Sequence, residues 1–131
     1  MRISNFNIIV VDDEPDVSYI LQQFLIKQGY NVASFTDPLL SFDFFKIHPL
    51  RYSLIITDLK MPGLSGLELA NKIRLINKNI KIILITAFEL DDLNKSMQFI
   101  NAKIDKIIQK PIKLSNLKEV INDMSISILQ S

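Results

Sequence analysis

The residues of this chain that are able to do chemistry are three aspartates, a threonine and a lysine, and they share one context. Each follows a short run of apolar, mostly β-branched residues. In chain order the runs are Ile8–Val11 before Asp12 and Asp13, Leu54–Thr57 before Asp58, Ile82–Ile85 before Thr86, and Ile107–Gln109 before Lys110. Three carboxylates, a hydroxyl and an ammonium suit a site that holds a divalent cation beside a phosphoryl group.

These runs predict the central strands of a parallel sheet, because strands buried on both faces read as continuous apolar stretches. In such sheets, ligands bind outside the carboxyl ends of the strands. The five polar side chains are therefore expected to meet at one edge. Adjacent residues within a strand point to opposite faces, so Asp12 and Asp13 reach the same pocket only if they lie where the chain leaves the pleat.

Helical patterns alternate with the strands. Pro15 begins a first helix that ends at Gly29, Asp37 and Pro38 begin a second that runs to about Ile47, and a turn-rich loop leads into a third. One further strand is predicted over Val32–Phe35, the last strand extends over Asp105–Gln109, and a last helix begins at about Leu114. The predicted apolar face of the first helix is Val17, Ile20, Leu21, Phe24 and Leu25, and that of the third is Leu69, Ala70, Ile73 and Ile76. The predicted apolar face of the fourth helix is Leu90, Leu93, Met97 and Ile100, and that of the fifth is Leu117, Val120, Ile121, Met124 and Ile128.

This alternation predicts an α/β fold of the (βα)₅ type. The expected architecture is a doubly wound, flavodoxin-like three-layer sandwich with a parallel five-stranded sheet and right-handed crossovers. The usual strand order for this element count is 2-1-3-4-5. We assign all 131 residues to a single domain, with a core over about residues 5–125 and a short C-terminal tail.

The composition narrows the classes of function. A net charge of +1 gives no general attraction to nucleic acid or to an anionic membrane. The absence of cysteine removes disulfides, thiolate metal sites and cysteine nucleophiles, and it fits a reducing compartment. The first residues do not read as a secretory signal, and no apolar run approaches the length of about 18 residues that spans a bilayer. We expect a cytoplasmic protein without direct nucleic-acid or membrane partners.

The aspartates predict a metal site and a nucleophile. A cation relieves the repulsion between neighbouring carboxylates, and all-oxygen ligation at a phosphate site indicates Mg²⁺, or else Mn²⁺. We expect Asp13 and Asp58 to bind the cation directly, Asp12 to act through a water molecule, and the backbone carbonyl of Lys60 to add a ligand. Asp58 is also the candidate nucleophile, since a carboxylate can attack a phosphoryl group to form an aspartyl phosphate.

Lys110 and Thr86 are assigned supporting roles. Lys110 would neutralise the charge that develops on the transferred group. The Thr86 hydroxyl would donate to a phosphoryl oxygen, a bond that exists only in the modified protein. Thr86 is therefore the candidate switch residue.

Taken together, these motifs resemble the receiver domain of two-component response regulators, in particular the single-domain chemotaxis regulators. The matching stretches are Val10–Glu14, Thr57–Gly66, Ile85–Ala87 and Lys110–Pro111. Along the chain, Asp13, Asp58, Thr86 and Lys110 are separated by 45, 28 and 24 residues, which is the spacing of that family. The resemblance covers roughly residues 5–125.

The resemblance implies that Asp58 accepts a phosphoryl group from a sensor histidine kinase or a phosphotransfer protein, in a reaction that needs Mg²⁺. Thr86 would then reorganise the face made by the fourth helix, the fifth strand and the fifth helix for an unknown downstream protein; homodimerisation is left open. The resemblance also implies a cis peptide bond between Lys110 and Pro111, slow self-dephosphorylation and no multiple-turnover metabolic activity. A stand-alone receiver and a receiver cut from a longer regulator are equally compatible with the sequence.

The chain departs from the family pattern at several positions. Ile107 stands where the family has Tyr or Phe, so the signal would pass by loop movement, by repacking of Ile107, or weakly. Lys103 and Ile104 replace the usual Gly-Ala before the fifth strand. Lys60 and Phe88 are bulky residues at positions that tune hydrolysis in the family, and we hypothesise a long-lived phosphorylated state.

Other functions remain open from the sequence. Within the family, the alternative is a degenerate receiver that keeps the pocket but switches poorly. In a different class, a Mg²⁺-dependent phosphohydrolase of the haloacid-dehalogenase type also uses an aspartate at a strand end, but it normally needs a second Asp where this chain has Lys60. A flavodoxin-like electron carrier lacks support, because no Gly-rich phosphate loop follows the first strand. The lysines between Lys103 and Lys118 form either a solvated surface or a docking site for an acidic partner.

Overall fold

A computed structural model describes residues 6–87 and 96–130 of the chain, with side chains up to residue 126. The strands are β1 (Asn7–Val11), β2 (Asn31–Phe35), β3 (Leu54–Asp58), β4 (Lys81–Thr86) and β5 (Lys106–Gln109). The helices are α1 (Pro15–Lys27), α2 (Pro38–Ile47), α3 (Gly66–Ile76), α4 (Met97–Ala102) and α5 (Leu114–Gln130). Within the described residues, no helix combines the length and the apolar character that crossing a membrane requires.

The five strands form one parallel sheet in the order β2-β1-β3-β4-β5, which confirms the predicted architecture. The two inner strands on which the site depends are buried at almost every position, as their continuous apolar sequence requires. In the register, Val11 pairs with Thr57, and Asp58 pairs with Ile85. Residues 12, 58 and 86 therefore reach the same edge of the sheet.

The alternation of side chains along the strands divides the core into two layers. Ile9, Ile55 and Leu84 face the layer that α2, α3 and α4 cover. Ile8 and Ile56 face the opposite layer, which α1 and α5 cover. Helices thus cover both faces of the sheet, and the charged residues Asp12, Asp58 and Lys110 lie at the carboxyl ends of the strands.

Helix ends follow the predicted local chemistry. The Asp37 carboxylate caps α2 by accepting from the Leu39 N–H at 2.9 Å, as expected for an N-cap aspartate before a proline. A capping box that the sequence analysis did not identify begins α3. In it, Ser65 Oγ accepts from the Glu68 N–H and the Glu68 carboxylate accepts from the Ser65 N–H, both at 3.1 Å.

Several helix positions predicted to face inward are exposed. Ile20 and Ile76 are 54% and 42% exposed. On α1 the buried position is taken by Ser18, whose hydroxyl hydrogen-bonds that of Ser34 on β2. A hydrogen-bonded serine pair lets α1 lie close to the sheet, and this places Ile20 on the outer side of the helix.

The short helix α4 also differs from its predicted pattern. Met97 and Ile100, which mark one face of the predicted helix, are 67% and 55% exposed, and Ala102 is the buried residue. Leu90, Leu93, Phe88 and the Ile128 side chain lie outside the described residues. Strand β2 begins one residue earlier than predicted. Strand β5 begins one residue later than predicted, because the Asp105 carboxylate, in place of a backbone carbonyl, accepts from the Ile82 N–H.

The turn between α4 and β5 contains a lysine in a left-handed conformation. Lys103 has φ 51° and ψ 56°, and it ends α4. Glycine adopts this backbone region freely, whereas a residue with a Cβ is strained there. Arg74 holds the turn by donating to the backbone oxygens of Ala102 and Lys103 at 2.8 and 2.9 Å.

Lys103→Gly is expected to raise the free energy of unfolding by about 0.5–1 kcal/mol. The left-handed conformation costs a non-glycine residue about 1–2 kcal/mol, and the larger entropy of glycine in the unfolded chain offsets about half of this. Urea unfolding at 25 °C measures the change. Lys118→Gly, on the exposed face of α5, is the control and is expected to lose about 1 kcal/mol. A destabilised Lys103→Gly variant would show that the turn carries no such strain.

Candidate functional site

The polar residues predicted from the sequence meet in one pocket at the carboxyl ends of the strands. The pocket has a volume of about 570 Å³ and is lined by Asp13, Glu14, Asp58, Lys60, Met61, Pro62, Thr86, Ala87 and Lys110. Asp12 is 1% exposed and reaches the same cluster from the end of β1. The pocket is thus built by the sheet register, which brings the ends of four strands together.

Three carboxylates form the floor of this pocket. Asp12, Asp13 and Asp58 each offer an oxygen, and these atoms lie within 4.8 Å of one another. Asp58 is 7% exposed, and its Oδ1 accepts a hydrogen bond from the Leu59 N–H at 2.9 Å. One oxygen of Asp58 is therefore fixed by the backbone, while Oδ2 faces the lysine across the pocket.

Lys110 is the cation of the site. Its Nζ donates to Asp58 Oδ2 at 3.3 Å and lies 3.8 Å from both Asp12 Oδ2 and Glu14 Oε1. The Lys110 N–H donates to the Thr86 carbonyl at 2.8 Å, which ties the end of β5 to the end of β4. The predicted cis peptide bond between Lys110 and Pro111 is confirmed.

The burial of these charges changes their protonation. Burial raises the pKa of Asp12 from 3.8 to about 6, although the Glu14 N–H and the Lys110 ammonium both act to lower it. Burial likewise raises the pKa of Asp58. Burial alone would lower the pKa of Lys110, but the carboxylates of Asp12 and Asp58 outweigh it and the pKa is raised. Four carboxylates, those of Asp12, Asp13, Glu14 and Asp58, thus lie at or beside a pocket that two lysines, Lys60 and Lys110, line.

The carboxylate cluster fits a small, hard cation. Asp12 Oδ1 accepts from the Glu14 N–H at 2.9 Å, but among the described residues Asp12 Oδ2 has no hydrogen-bond partner although it is buried. A buried carboxylate oxygen without a partner is costly. Oxygen donors from three carboxylates are what Mg²⁺ and Mn²⁺ prefer, and a cation there would satisfy Asp12.

Gly66 holds the loop that carries Asp58 in place. Its N–H donates to the Leu59 carbonyl at 2.7 Å. A Cβ built on Gly66 would lie 2.2 Å from the Asp58 carbonyl oxygen, so only glycine allows this approach of α3 to β3. Sequence reasoning assigned this stretch to a turn and missed the contact. The signal available was a glycine directly after the N-cap serine, where a turn does not require one.

The structure places four further residues in or near the pocket. Thr86 is fully buried and lines the pocket, and Lys60 lines it from the loop after β3. Ile107 does not line it: it is half-buried, pairs with Leu84 across β4 and β5, and packs against the α3–α4 layer of the core. Glu14 is the N-cap of α1 and stands at the rim beside Lys110.

An apolar groove adjoins the pocket. It has a volume of about 580 Å³, lies between α1 and the start of α5, and is lined by Glu14, Val17, Ile20, Leu21, Lys110, Pro111, Ile112 and Leu114. The groove and the pocket share Glu14 and Lys110. Ile20, which was predicted to face inward, therefore points outward and forms one wall of this groove. The groove opens beside the reactive residues.

Asp12→Asn is expected to stabilise the protein in the absence of divalent cations. An acid whose pKa is higher in the folded than in the unfolded state binds its proton more tightly when folded, so the fold loses stability as the pH rises from 3.8 to about 6. The full shift corresponds to about 3 kcal/mol, and we expect a gain of about 1–3 kcal/mol at pH 7. Asparagine carries no such charge, so the gain should vanish below about pH 4.

Urea unfolding in EDTA at several pH values measures this difference between Asp12→Asn and wild type. Asp43→Asn, an exposed carboxylate on α2 paired only with Lys46, is the control and should change stability by less than about 0.5 kcal/mol. A gain that does not depend on pH would contradict the assignment to the buried charge.

Gly66→Ala is expected to cost about 2–4 kcal/mol, because the new methyl group meets backbone and not a movable side chain. Gly63→Ala in the same loop is the control. Gly63 has φ 85°, but its Cβ would approach only Leu39 Cδ1 at 3.9 Å, so a loss of about 1 kcal/mol is expected from backbone strain alone. Thermal unfolding of both variants makes the comparison, and equal losses would show that the contact with Asp58 has no special weight.

Known proteins are similar to this chain in sequence and in fold. Residues 8–122 match the family described as the response regulator receiver domain. The chain is 32% identical over 121 residues to the response regulator receiver protein CpdR of Brucella abortus, covering 92% of this chain and 97% of that protein. It is 30% identical over 110 residues to the response regulator RppA of Synechocystis, where it spans 46% of that protein's length.

A solved structure of similar sequence gives the same result. The response regulator protein TrrA of Thermotoga maritima, in complex with Mg²⁺-BeF, is 32% identical to this chain, with a TM-score of 0.76 and coverage of 91% of this chain and 98% of that one. The family match spans most of the described residues and includes every residue of the pocket. The chain belongs to the response regulator receiver domain family of two-component phosphorelay signalling.

Proposed function

We propose that Asp58 is the phospho-acceptor of this receiver and that it takes its phosphoryl group from a sensor histidine kinase or a phosphotransfer protein. The observation that supports this is the position of Asp58 Oδ2, which faces the pocket 3.3 Å from Lys110 Nζ. An Asp58 oxygen attacks the phosphorus, and the bond to the donor nitrogen breaks with its electron pair left on the donor. The result is an aspartyl phosphate on Asp58.

Lys110 and Thr86 act on the transferred group. The ammonium of Lys110 balances charge on the phosphoryl oxygens and exchanges part of its contact with Asp58 for them. The Thr86 hydroxyl donates to a phosphoryl oxygen. Since Thr86 O already accepts from the Lys110 N–H at 2.8 Å, a shift of Thr86 also moves the end of β5.

The proposed cation is Mg²⁺, with Mn²⁺ as a substitute. Asp13 and Asp58 would bind it directly, Asp12 through a water molecule, and the Lys60 carbonyl would complete the protein ligands. When bound, it supplies positive charge at the phosphoryl oxygens. The support is the three-carboxylate cluster and the buried Asp12 Oδ2, which has no hydrogen-bond partner among the described residues and only a 3.8 Å ion pair with Lys110.

The output of the switch is proposed to be the face made by α4, β5 and α5. Ile107 lies in β5 between the pocket and this face and packs against the core layer beneath α4. Because isoleucine has no ring to swing inward, the change at Thr86 is proposed to reach the face by repacking of Ile107 and movement of β5. The downstream protein recognises that rearranged surface.

The apolar groove beside the pocket is the proposed docking surface of the phosphoryl donor. It shares Glu14 and Lys110 with the pocket, so a donor helix seated in it would bring its histidine to Asp58. Half-exposed Ile20 offers the apolar contact. The whole chain is proposed to act as one cytoplasmic domain with slow self-dephosphorylation, in keeping with a family of signalling proteins and not of metabolic enzymes.

Intact-mass measurement after incubation with Mg²⁺ and a small acyl-phosphate donor tests the proposal. Wild type is expected to gain the mass of one phosphoryl group, and Asp58→Asn none. Lys110→Gln should slow the transfer about 100-fold, since it removes a charge at the developing phosphoryl oxygens. Asp43→Asn, remote on α2, should behave as wild type. An adduct that survives Asp58→Asn, or wild type that stays unmodified while it binds Mg²⁺, would contradict Asp58 as a competent acceptor.

A further inference from the structure

A second polar groove lies between the last turns of α3 and α4. Its volume is about 280 Å³, and it is lined by Asn71, Arg74, Leu75, Lys78, Asn101 and Lys103. Three cations and two amides therefore line the groove, with one leucine and no carboxylate. The groove lies where the helices end, near the amino ends of the strands, and shares no residue with the Asp58 pocket.

Arg74 is fully engaged at the base of this groove. Its guanidinium donates to the backbone oxygens of Ala102, Lys78, Ile80 and Lys103, and it pairs with Asp105 at 3.2 Å. These carbonyls end α3 and α4 or follow them, and they carry the negative partial charge of the helix ends. Arg74 thus gives these carbonyls hydrogen-bond donors. It also shares the Asp105 carboxylate with Lys81, whose Nζ lies 3.8 Å from it.

The two lysines are left without such a role. Lys78 and Lys103 are exposed, and within residues 6–87 and 96–130 neither ammonium forms an ion pair with a carboxylate. Lys103 also occupies a left-handed backbone position, where glycine would be less strained. Among the described residues, the groove therefore holds two ammonium groups without a carboxylate partner, in addition to the amide donor of exposed Asn101.

We propose that this groove binds a small anion that carries one or two phosphate groups. A phosphate offers up to two negative charges and three strong acceptor oxygens, which match two ammonium groups and an amide better than one carboxylate does. The volume admits such an anion but is below the range of about 300–1,000 Å³ that accommodates larger ligands. Leu75 supplies an apolar wall for whatever carbon skeleton bears the phosphate.

The test is an NMR titration of the full chain with pyrophosphate, without Mg²⁺ and at ionic strength held constant with chloride. The side-chain amides of Asn71 and Asn101 and the Lys103 backbone amide are expected to shift with a Kd of about 1 mM or below. The double variant Lys78→Gln and Lys103→Gln should weaken binding at least about tenfold, because two charge-assisted contacts are lost. Lys118→Gln, an exposed lysine on α5, should bind as wild type.

Further arms separate the outcomes. Inorganic phosphate is expected to bind the same residues more weakly, and succinate, a dicarboxylate of similar charge, more weakly still. Asp58→Asn is expected to retain the groove shifts, so a failure of phosphorylation there leaves this proposal standing. No shift, equal weakening by Lys118→Gln, equal binding of succinate, or shifts confined to residues around Lys110 would each overturn it.

Discussion

The burial of two carboxylates beside one lysine is the constraint on which the rest of this structure depends. Asp12 and Asp58 are both nearly inaccessible, and Lys110 Nζ lies within 3.8 Å of each. Removing ionised groups from water costs several kcal/mol per ion unless other charges compensate. The raised pKa values of both aspartates reflect that incomplete compensation. Additional positive charge would therefore stabilise the ionised aspartates, and a bound divalent cation could supply it.

The parallel sheet and Gly66 position the charged residues of the site. Asp12, Asp58, Thr86 and Lys110 lie at or just after the ends of four paired strands, so backbone pairing brings them to the same edge of the sheet. Gly66 then lets α3 approach the Asp58 carbonyl to a distance that any Cβ would prevent. The hydrogen bond from the Lys110 N–H to Thr86 O fixes the cation relative to β4. Main-chain contacts thus fix the backbone positions from which the functional side chains extend.

The fold and most of the pocket were predictable because they depend on local patterns. Buried strands read as apolar runs, and residues that follow them in a parallel sheet must meet; the positions of Asp12, Asp58 and Lys110 needed nothing else. The misses depend on contacts distant in sequence. Ile20 faces outward because Ser18 meets Ser34 on β2, and β5 begins only after Asp105 because the Asp105 carboxylate accepts from the Ile82 N–H on β4. Periodicity along one helix contains no information about such partners.

The two polar regions of the molecule act as separate electrostatic sites. Net charge is only +1, yet the carboxylates gather at the carboxyl ends of the strands while Arg74, Lys78 and Lys103 gather near the amino ends. A five-residue strand rises about 16 Å, twice the Debye length of about 8 Å at physiological ionic strength. Exposed charges in one region are therefore largely screened from exposed charges in the other, whereas the buried Asp12 and Asp58 are screened less. The Arg74–Asp105 pair lies just before β5, and Ile107 within β5 packs against the core, so this strand links the groove to Lys110 at its other end.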